Sequence, residues 1–291
     1  MKTALSALRV ARPRDLAHAL RLLHESLEDE RLVPLAGGTD LYVGLNAGTQ
    51  AGACYLDLSP LRALREIRAN ASGLHVGALA TFHEIANHPA CAGWPMLGGA
   101  AREVGAAQIQ RRATLGGNIA NASPAGDSLP VLLAYDAVVR AESVRGVRAI
   151  AIADLFTGYR RLALAPDELI TGVTLPPGPR GARALFRKVG TRAAQSISKV
   201  VFAGTLHVRR GVIDHARLAW GSVAPTPVRS RGAEAALLDP APGAAARALA
   251  ALERDLSPID DIRSDREYRA ATARALLEQL LRVVFAGRRV R

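Results

Sequence analysis

The residues best suited to chemistry lie in a stretch of small and polar side chains at 113–128. It contains the glycine pair Gly116-Gly117, a proline break at Pro124 and a single carboxylate at Asp127, with no bulky residue from 120 to 128. Consecutive glycines can adopt positive φ and carry no Cβ, so their N–H groups can converge on an anion such as a diphosphate. This composition predicts a ligand-binding loop.

A second glycine pair lies upstream, at the end of an apolar segment. Residues 32–36 have the composition of a short strand and run directly into Gly37-Gly38-Thr39. Backbone amides after a strand, with the Thr39 hydroxyl beside them, suit a phosphate group. Neither pair has the spacing of a P-loop or of G-x-G-x-x-G, which disfavours the ordinary nucleotide-binding folds. We therefore expect two segments from distant parts of one domain to close on one diphosphate.

Both glycine segments resemble one family of flavoproteins. Residues 35–41 and 114–119, followed by Ser123 and Asp127, are similar to the FAD-binding medium subunits of the molybdenum hydroxylases. This family includes the xanthine dehydrogenase, carbon monoxide dehydrogenase and 4-hydroxybenzoyl-CoA reductase relatives. The resemblance continues at residues 186–192, 197–200, 258–263 and 267–269. It therefore covers almost the whole chain.

The resemblance implies an α+β fold built from two domains. The first is a two-subdomain FAD-binding domain of the PCMH/vanillyl-alcohol-oxidase type, expected at residues 1–178 with subdomains at about 1–60 and 61–178. The second is an α+β C-terminal domain, an antiparallel sheet plus helices, expected at residues 182–291. The length agrees with this division, because 291 residues with 49% apolar content can bury two cores.

The resemblance also implies which residues hold FAD. Those expected to cradle the diphosphate and the ribityl chain are Gly37, Gly38, Thr39, Asp40, Gly116, Gly117 and Asn118. Those expected to line the cofactor nearby are Thr114, Ser123 and Asp127, and the flanking members of the set are Leu35, Ala36, Leu41, Ala113 and Ile119. Lys188 matches the family lysine close to the isoalloxazine ring, and Ile170 matches the apolar residue that packs on it.

Some of these residues have other interpretations, and two positions depart from relatives. Asp127 precedes a predicted helix and could be its N-cap, and Lys188 could be a solvated lysine on a strand. Residues 195–198 read Gln-Ser-Ile-Ser where many relatives have Asp before Ile-Ala. Thr39 stands where covalently flavinylated relatives of the wider fold place a histidine, so we expect non-covalent FAD.

The function that the resemblance implies is electron transfer within a complex. In the family, a large subunit holds a molybdenum cofactor, a small subunit holds two [2Fe–2S] clusters, and FAD collects the electrons for an acceptor such as NAD⁺ or a quinone. We expect a dimer of such heterotrimers. Cys54 and Cys91 form no C-x-x-C motif, and His83 and His88 belong to no ligand set, so those metals are expected only in partner subunits.

Two other functions fit parts of the pattern. A stand-alone flavin enzyme of the same fold, similar to UDP-N-acetylenolpyruvoylglucosamine reductase, would need its own substrate pocket, and the C-terminal motifs count against it. A basic nucleic-acid-binding module would fit the net charge of +12, but the arginines are scattered and only 4% of residues are aromatic. A basic face that docks acidic partner subunits, or arginine-rich codon usage, explains the charge better.

Other chemistry and other locations have little support. The sequence has no G-x-S-x-G or H-E-x-x-H motif for hydrolysis. No run approaches the roughly 18 to 20 apolar residues that cross a bilayer, so we expect no membrane span. Residues 1–10 lack the apolar core of an export signal, and a cytoplasmic location is the expectation.

Periodicity and turn chemistry predict the elements that position the two glycine segments. A helix is predicted to open at Asp15, with Leu16, Leu20, Leu23 and Leu27 at helical spacing. Strands are predicted at 54–58, 74–78, 137–142, 147–152 and 169–175. Helices are predicted after Ser59-Pro60, after Thr81, at 95–104 and at 127–135.

The proline-rich residues 176–181 predict a linker, beyond which the pattern changes. Strands are predicted at 184–189, 200–208, 212–215 and 218–223, with a hairpin turn at Arg210-Gly211. Two helical stretches are predicted at 231–254, interrupted by Pro240 and Pro242, and at 265–284. A sheet followed by helices is again typical of an α+β domain.

Overall fold

The computed structural model describes residues 8–27, 31–48 and 54–285. In chain order, its strands are β1 (Arg9–Ala11), β2 (Leu32–Leu35), β3 (Cys54–Asp57), β4 (Ile67–Asn70), β5 (Gly73–Gly77), β6 (Val138–Ser143), β7 (Gly146–Ala151), β8 (Phe156–Gly158), β9 (Arg161–Leu162), β10 (Leu169–Leu175), β11 (Arg183–Val189), β12 (Val200–Arg209), β13 (Val212–Gly221) and β14 (Val228–Arg229). Its helices are α1 (Leu16–Glu25), α2 (Leu41–Ala47), α3 (Phe82–Asn87), α4 (Pro95–Glu103), α5 (Ala107–Gln110), α6 (Leu115–Asn121), α7 (Leu129–Ala134), α8 (Ile152–Leu155), α9 (Arg231–Leu238), α10 (Ala244–Asp255) and α11 (Arg266–Phe285). The predicted α+β class is confirmed.

The first glycine segment is positioned by a small parallel sheet, in which β3 pairs with both β1 and β2. Helix α1 covers this sheet and begins as predicted, because the Asp15 carboxylate accepts the N–H of His18 at 2.7 Å. Leu20 and Leu23 are buried on its inner face. Leu27 was expected on the same face, but α1 ends before it and its side chain is exposed. Residues 1–10, where the sequence predicts no export signal, lie mostly outside the described residues, which begin at residue 8.

The second glycine segment is positioned by an antiparallel sheet whose described strands run in the order β4-β5-β10-β6-β7. Thr81 begins α3 through a capping box, as predicted: its hydroxyl accepts the N–H of Glu84, and the Glu84 carboxylate accepts the N–H of Thr81. Alternate residues of the central strands, such as Leu74 on β5 and Val173 on β10, are fully buried. They pack with the apolar faces of α3, α4 and α7 in one core.

The chain after the linker forms an antiparallel sheet, with the described strands in the order β11-β12-β13-β14. Arg210 and Gly211 make the predicted hairpin turn, with φ of 52° and 84°, the left-handed pair that suits the twist of the flanking strands. The sequence predicts two strands after this turn, but β13 is continuous, because Ala216 and Arg217 between them pair with Leu206 and Thr205 of β12. Helices α9, α10 and α11 cover the sheet around Phe202 and Trp220, whose ring centroids are 4.3 Å apart.

The two parts of the chain share a buried interface. Arg229 on β14 pairs with Asp136, which lies in the turn between α7 and β6, and with Glu234 on α9 at 2.6 Å. Ala203 and Ala219 of the C-terminal sheet belong to the same core as the five-stranded sheet. Residues 176–181 therefore connect two parts that are packed against each other.

Two further differences from the predicted elements lie between β3 and β5. Ser59 does not begin a helix, because its N–H donates to the Asp57 carboxylate at 3.0 Å, and a short 3₁₀ turn begins only at Arg62. Strand β4 was not predicted, although it pairs with β5 along its whole length. Only Ile67 of its four residues is buried, so the strand carries no alternating apolar pattern that the sequence could reveal.

A buried carboxylate connects α1 to the five-stranded sheet. Asp167 accepts hydrogen bonds from the Arg145 guanidinium, with Nη2–Oδ1 at 2.8 Å, and it lies 3.0 Å from Nδ1 of His24. The Arg145 guanidinium, with a further contribution from His24, lowers the pKa of Asp167 to about 2. This carboxylate therefore stays ionised at neutral pH.

Candidate functional site

The first glycine segment joins β2 to α2 and leaves a run of backbone donors without acceptors. Gly38 has φ of 74°, a conformation that favours glycine, and its carbonyl oxygen accepts the N–H of Tyr42 at 2.9 Å. Within the described part of the chain, no acceptor contacts the N–H groups of Gly37, Gly38, Thr39 or Asp40. Gly37, Gly38 and Thr39 are half-buried and Asp40 is exposed, and consecutive N–H groups without a protein acceptor at the start of a helix suit an anion.

The second glycine segment is not the predicted loop, because it forms the first turn of α6. Neither Gly116 nor Gly117 has a positive φ. The N–H of Gly116 donates to the carbonyl of Ala78 at 2.8 Å, and the N–H of Gly117 donates to the Thr114 hydroxyl at 3.1 Å. Thr114 is thus the N-cap of α6, and the amides expected to converge on a phosphate are already paired.

Close packing of the backbone explains why residue 116 is glycine. A Cβ at Gly116 would lie 2.8 Å from the carbonyl oxygen of Ala78, on the strand-like segment that crosses Thr114. A Cβ at Gly117 would meet only the Thr114 hydroxyl and, at 3.8 Å, the Cβ of Ala36. Gly117 therefore presents a surface without a side chain toward the first glycine segment.

The structure brings the two glycine segments together, as the sequence predicts. A Cβ at Gly37 would overlap the carbonyl oxygen of Arg112, so the two backbones are in direct contact. The Asn121 amide donates to the Asp40 carboxylate at 3.0 Å and accepts a hydrogen bond from Arg160 at 2.8 Å. Segments that are about 80 residues apart in the chain thus form one side of a single site.

The remaining residues of the expected set divide between surface and core. Leu35, Ala36 and Leu41 flank the unpaired amides and are half-buried. Ala113 is buried beside Gly37, whereas Ile119 is fully buried on the inner face of α6. Ile119 therefore supports the site from the core and does not reach its surface.

The end of α6 is held by polar side chains. The Asn118 amide oxygen accepts the hydroxyl of Ser128 at 2.7 Å, and Ser123 accepts the N–H of Ala125 at 3.3 Å. Ala122 has φ of 48° and ends the helix. Asn118 and Ser123 are half-buried, so both retain a surface that another molecule could contact.

Asp127 and Lys188 form a buried ion pair, which contradicts both alternative interpretations. Nζ of Lys188 lies 2.8 Å from Oδ2 of Asp127 and donates to the carbonyl of Glu103 at 2.8 Å. The lysine side chain is only 5% exposed, so it is not a solvated strand lysine. Asp127 is not the N-cap of α7, because Ser128 occupies that position.

The ionisation of Asp127 depends on two opposing effects. Burial raises the pKa of Asp127, while the Lys188 ammonium and a hydrogen bond from the Ser198 hydroxyl at 2.6 Å lower it. Glu103 nearby adds a smaller contribution that raises this pKa. Asp127 is only 7% exposed, so its carboxylate depends mainly on these two donors.

Ile170 lies on β10 at a bulge in the ladder with β6. Its side chain is buried in the main core, close to α6. It belongs to the same core as Leu115 and Ile119 of α6 and therefore lies in the interior and not on the surface of the site.

Three residues of this site were not identified from the sequence: Asn121, Arg160 and Ser198. Each acts through a contact with a residue that is distant in the chain, 81, 39 and 71 positions away respectively. The signal available for Ser198 was its place in the segment that departs from relatives.

The described residues contain no group of three or more His, Cys, Asp or Glu side chains arranged to hold a metal. His88 instead accepts the N–H of Ala90 through Nδ1 at 3.2 Å. Cys54 and Cys91 are free thiols, and burial raises the pKa of Cys91 to about 11. Among the helices that the structure describes, none is long and apolar enough to span a membrane.

Comparison with known proteins identifies the class of protein that this site defines. Residues 6–178 match the family described as the FAD binding domain in molybdopterin dehydrogenase, and residues 185–284 match the CO dehydrogenase flavoprotein C-terminal domain. The chain therefore belongs to the family of FAD-binding medium subunits of molybdenum hydroxylases, and it is an oxidoreductase subunit. The resemblance found in its motifs is confirmed.

Individual relatives agree over most of the chain. The nicotinate dehydrogenase FAD-subunit of Eubacterium barkeri is 34% identical over 78% of each chain. The nicotine 6-hydroxylase medium subunit of Paenarthrobacter nicotinovorans is 32% identical over 98% of this chain and 99% of its own. A chain of carbon monoxide dehydrogenase from Hydrogenophaga pseudoflava superposes with a TM-score of 0.90 at 26% identity, over 96% of this chain and 97% of that one.

Proposed function

We propose that this chain binds FAD non-covalently and transfers electrons from the [2Fe–2S] clusters of a small partner subunit to an acceptor such as NAD⁺ or a quinone. A large partner subunit would hold the molybdenum cofactor, and two such heterotrimers would associate. The proposed domains are residues 1–178 and 182–291, which agree with the linker at 176–181 and with the two family matches. A cytoplasmic location stays a prediction from the sequence.

The observation that carries the proposal is the run of unpaired amides at Gly37, Gly38, Thr39 and Asp40. A diphosphate accepts several hydrogen bonds, and backbone N–H groups supply them without a bulky side chain. Gly117 adds a surface without a Cβ beside these amides, since a Cβ built on it would lie 3.8 Å from the Cβ of Ala36. The residues present therefore fit the diphosphate of FAD.

The other residues have roles that follow from their chemistry. We propose that Asn118 contacts the ribityl region, that Thr114 and Ser123 line the cofactor nearby, and that Ile170 supports the part of the site that holds the ring from within the core. Lys188, with Asp127, would place a charge pair beside the isoalloxazine. Bound flavin supplies one- and two-electron transfer, so the protein has only to hold it, shield it and tune its potential. Thr39 cannot form the covalent bond that a histidine makes at this place, which supports non-covalent attachment.

The first experiment is an absorption spectrum of the purified chain, followed by acid precipitation. The expected result is the two-band spectrum of an oxidised flavin, with FAD recovered in the supernatant. FAD that stays with the precipitate would contradict non-covalent attachment. A colourless chain that binds no added FAD, either alone or co-expressed with its partner subunits, would overturn the proposal.

The acceptor needs a second experiment on the holo chain. FAD would be reduced under argon, and NAD⁺ or a quinone would be added while the flavin absorbance is followed. Reoxidation by one of them within the mixing time supports that acceptor. Reoxidation by neither, with a chain that reoxidises normally in air, would contradict both.

A further inference from the structure

The Ser198 hydroxyl has a place in the site that its sequence position does not suggest. Ser198 lies just before β12, and it is 1% exposed. Its hydroxyl donates to Oδ1 of Asp127 at 2.6 Å, and its carbonyl oxygen accepts the hydroxyl of Ser222 at 3.0 Å. The hydroxyl of Ser198 is therefore held by Asp127 alone, whereas Ser222 contacts only its backbone.

The two oxygens of Asp127 have different partners. Oδ1 accepts from Ser198, whereas Oδ2 accepts from Nζ of Lys188 at 2.8 Å. Lys188 is held in turn by the carbonyl of Glu103 at the end of α4. Because the side chains of the ion pair are 5% and 8% exposed, no water can replace a missing donor without a change in packing.

We propose that Ser198 is a positioning residue that holds the Asp127 carboxylate against Lys188 and thereby sets how much positive charge Lys188 presents to the FAD ring. The proposal deepens the function given above and rests on the proposed place of Lys188 beside that ring. With Asp127 ionised, the pair is neutral. With Asp127 protonated, the ammonium is uncompensated and favours reduced flavin, which carries more negative charge.

The groups that face Asp127 decide the direction of the effect. Lys188 on β11 and Ser198 favour the ionised carboxylate, whereas burial and the Glu103 carboxylate on α4 oppose it. A further charge is that of Arg269 on α11. Its guanidinium donates to the carbonyl of Ser222 at 2.6 Å, and Ser222 in turn contacts the Ser198 carbonyl. Loss of the Ser198 hydroxyl removes one of the two donors, so Asp127 should take up a proton at a higher pH.

The test uses the holo chain with Ser198→Ala. The FAD midpoint potential is measured from pH 5 to pH 9, and the carboxyl stretching band of Asp127 is followed by infrared difference spectroscopy on flavin-free protein. Loss of a hydrogen bond to a charged group changes the pKa of that group by about one to two units. The pH at the midpoint of both transitions should therefore rise by about that amount. Asp127→Asn assigns the infrared band, and Ser198→Cys, which keeps the size of the side chain but offers only a weak S–H donor, is used if the alanine variant does not fold.

Two controls separate positioning from a general loss of packing. Ser222→Ala removes a neighbouring buried hydroxyl that does not contact Asp127, and it should leave both transitions in place. In an Asp127→Asn background, Ser198→Ala should no longer change the potential at any pH. A further change in that background would show that Ser198 acts by another route and would overturn the proposal.

If the proposal fails, the two measurements also show which of its steps is wrong. A carboxyl transition that does not move overturns the role of Ser198 and leaves the FAD assignment intact. A carboxyl transition that moves while the potential does not also overturns the proposal, and it places the error in the position of Lys188 relative to the ring. Movement of both by a similar amount supports it.

Discussion

Replacement of Lys188 by methionine should destabilise the protein in a manner that depends on pH. Methionine keeps most of the apolar stem but removes the ammonium 2.8 Å from Asp127. The carboxylate then remains buried with Ser198 as its one side-chain donor in the described structure. A buried charge without its partner is strongly unfavourable, so Asp127 should take up a proton instead.

The magnitude follows from the cost of that proton. The ordinary pKa of an aspartate is 3.8, and each pH unit above it costs about 1.36 kcal/mol to keep the group protonated. The upper limit for the loss of stability is therefore about 4.4 kcal/mol at pH 7 and about 1.6 kcal/mol at pH 5. In the variant the folded state binds a proton that the unfolded state lacks, because the folded pKa is raised. Its stability relative to the wild type therefore falls as pH rises through the range in which Asp127 is ionised in the wild type but still protonated in the variant.

Urea unfolding of the flavin-free proteins at pH 5, 6 and 7 measures this difference. Lys199→Met is the matched control. The Lys199 ammonium lies 4.7 Å from the centroid of the Tyr268 ring, and it forms no ion pair with a carboxylate among the described residues. It should cost about 1 kcal/mol or less at every pH. The double variant Lys188→Met with Asp127→Asn should lose the pH dependence. A Lys188→Met cost that is the same at pH 5 and pH 7 would refute the reasoning.

Three further predictions concern single residues. Thr39→Val should weaken FAD binding by about 10- to 150-fold, the equivalent of a hydrogen bond to a charged group, in a fluorescence titration; unchanged affinity would exclude the hydroxyl from the site. Gly37→Ala should lower stability by about 1–3 kcal/mol, because its Cβ would overlap the Arg112 carbonyl; Gly93→Ala, with nothing within 4 Å of its Cβ position, is the control, and equal unfolding midpoints would contradict this. Asp167→Asn should be less stable than the wild type at pH 7 but equal to it near pH 2, because a pKa lowered to about 2 stabilises the fold only above that range; a constant difference in urea unfolding would count against the ion pair.

Local chemistry explains which elements the sequence predicts correctly. Asp15 caps α1, Thr81 caps α3, and Arg210-Gly211 turns the β12–β13 hairpin, and each of these signals lies within a few residues of its effect. The turn of the first glycine segment belongs with them, since Gly38 allows the positive φ of 74° that follows β2. Motif resemblance added the family, which the comparisons confirm.

Tertiary structure decided what the second glycine segment does. Gly116-Gly117 reads as a loop because glycine is a poor helix former. Helix α6 forms there nevertheless, because Thr114 caps it and the N–H of Gly116 is paired with Ala78, a partner 38 positions earlier in the chain. Glycine at 116 is required by that close approach and not by a positive φ.

The ion pair at the centre of the site could likewise not be predicted from the sequence. Asp127 meets Lys188 across 61 positions and Ser198 across 71, and no periodicity relates residues at such separations. Sequence alone determined most of the elements, the β12–β13 turn and the family, because those depend mainly on neighbours in the chain. The ion pair, its burial and its third partner depend on how β11, α4 and the start of β12 pack together, which only the folded chain defines.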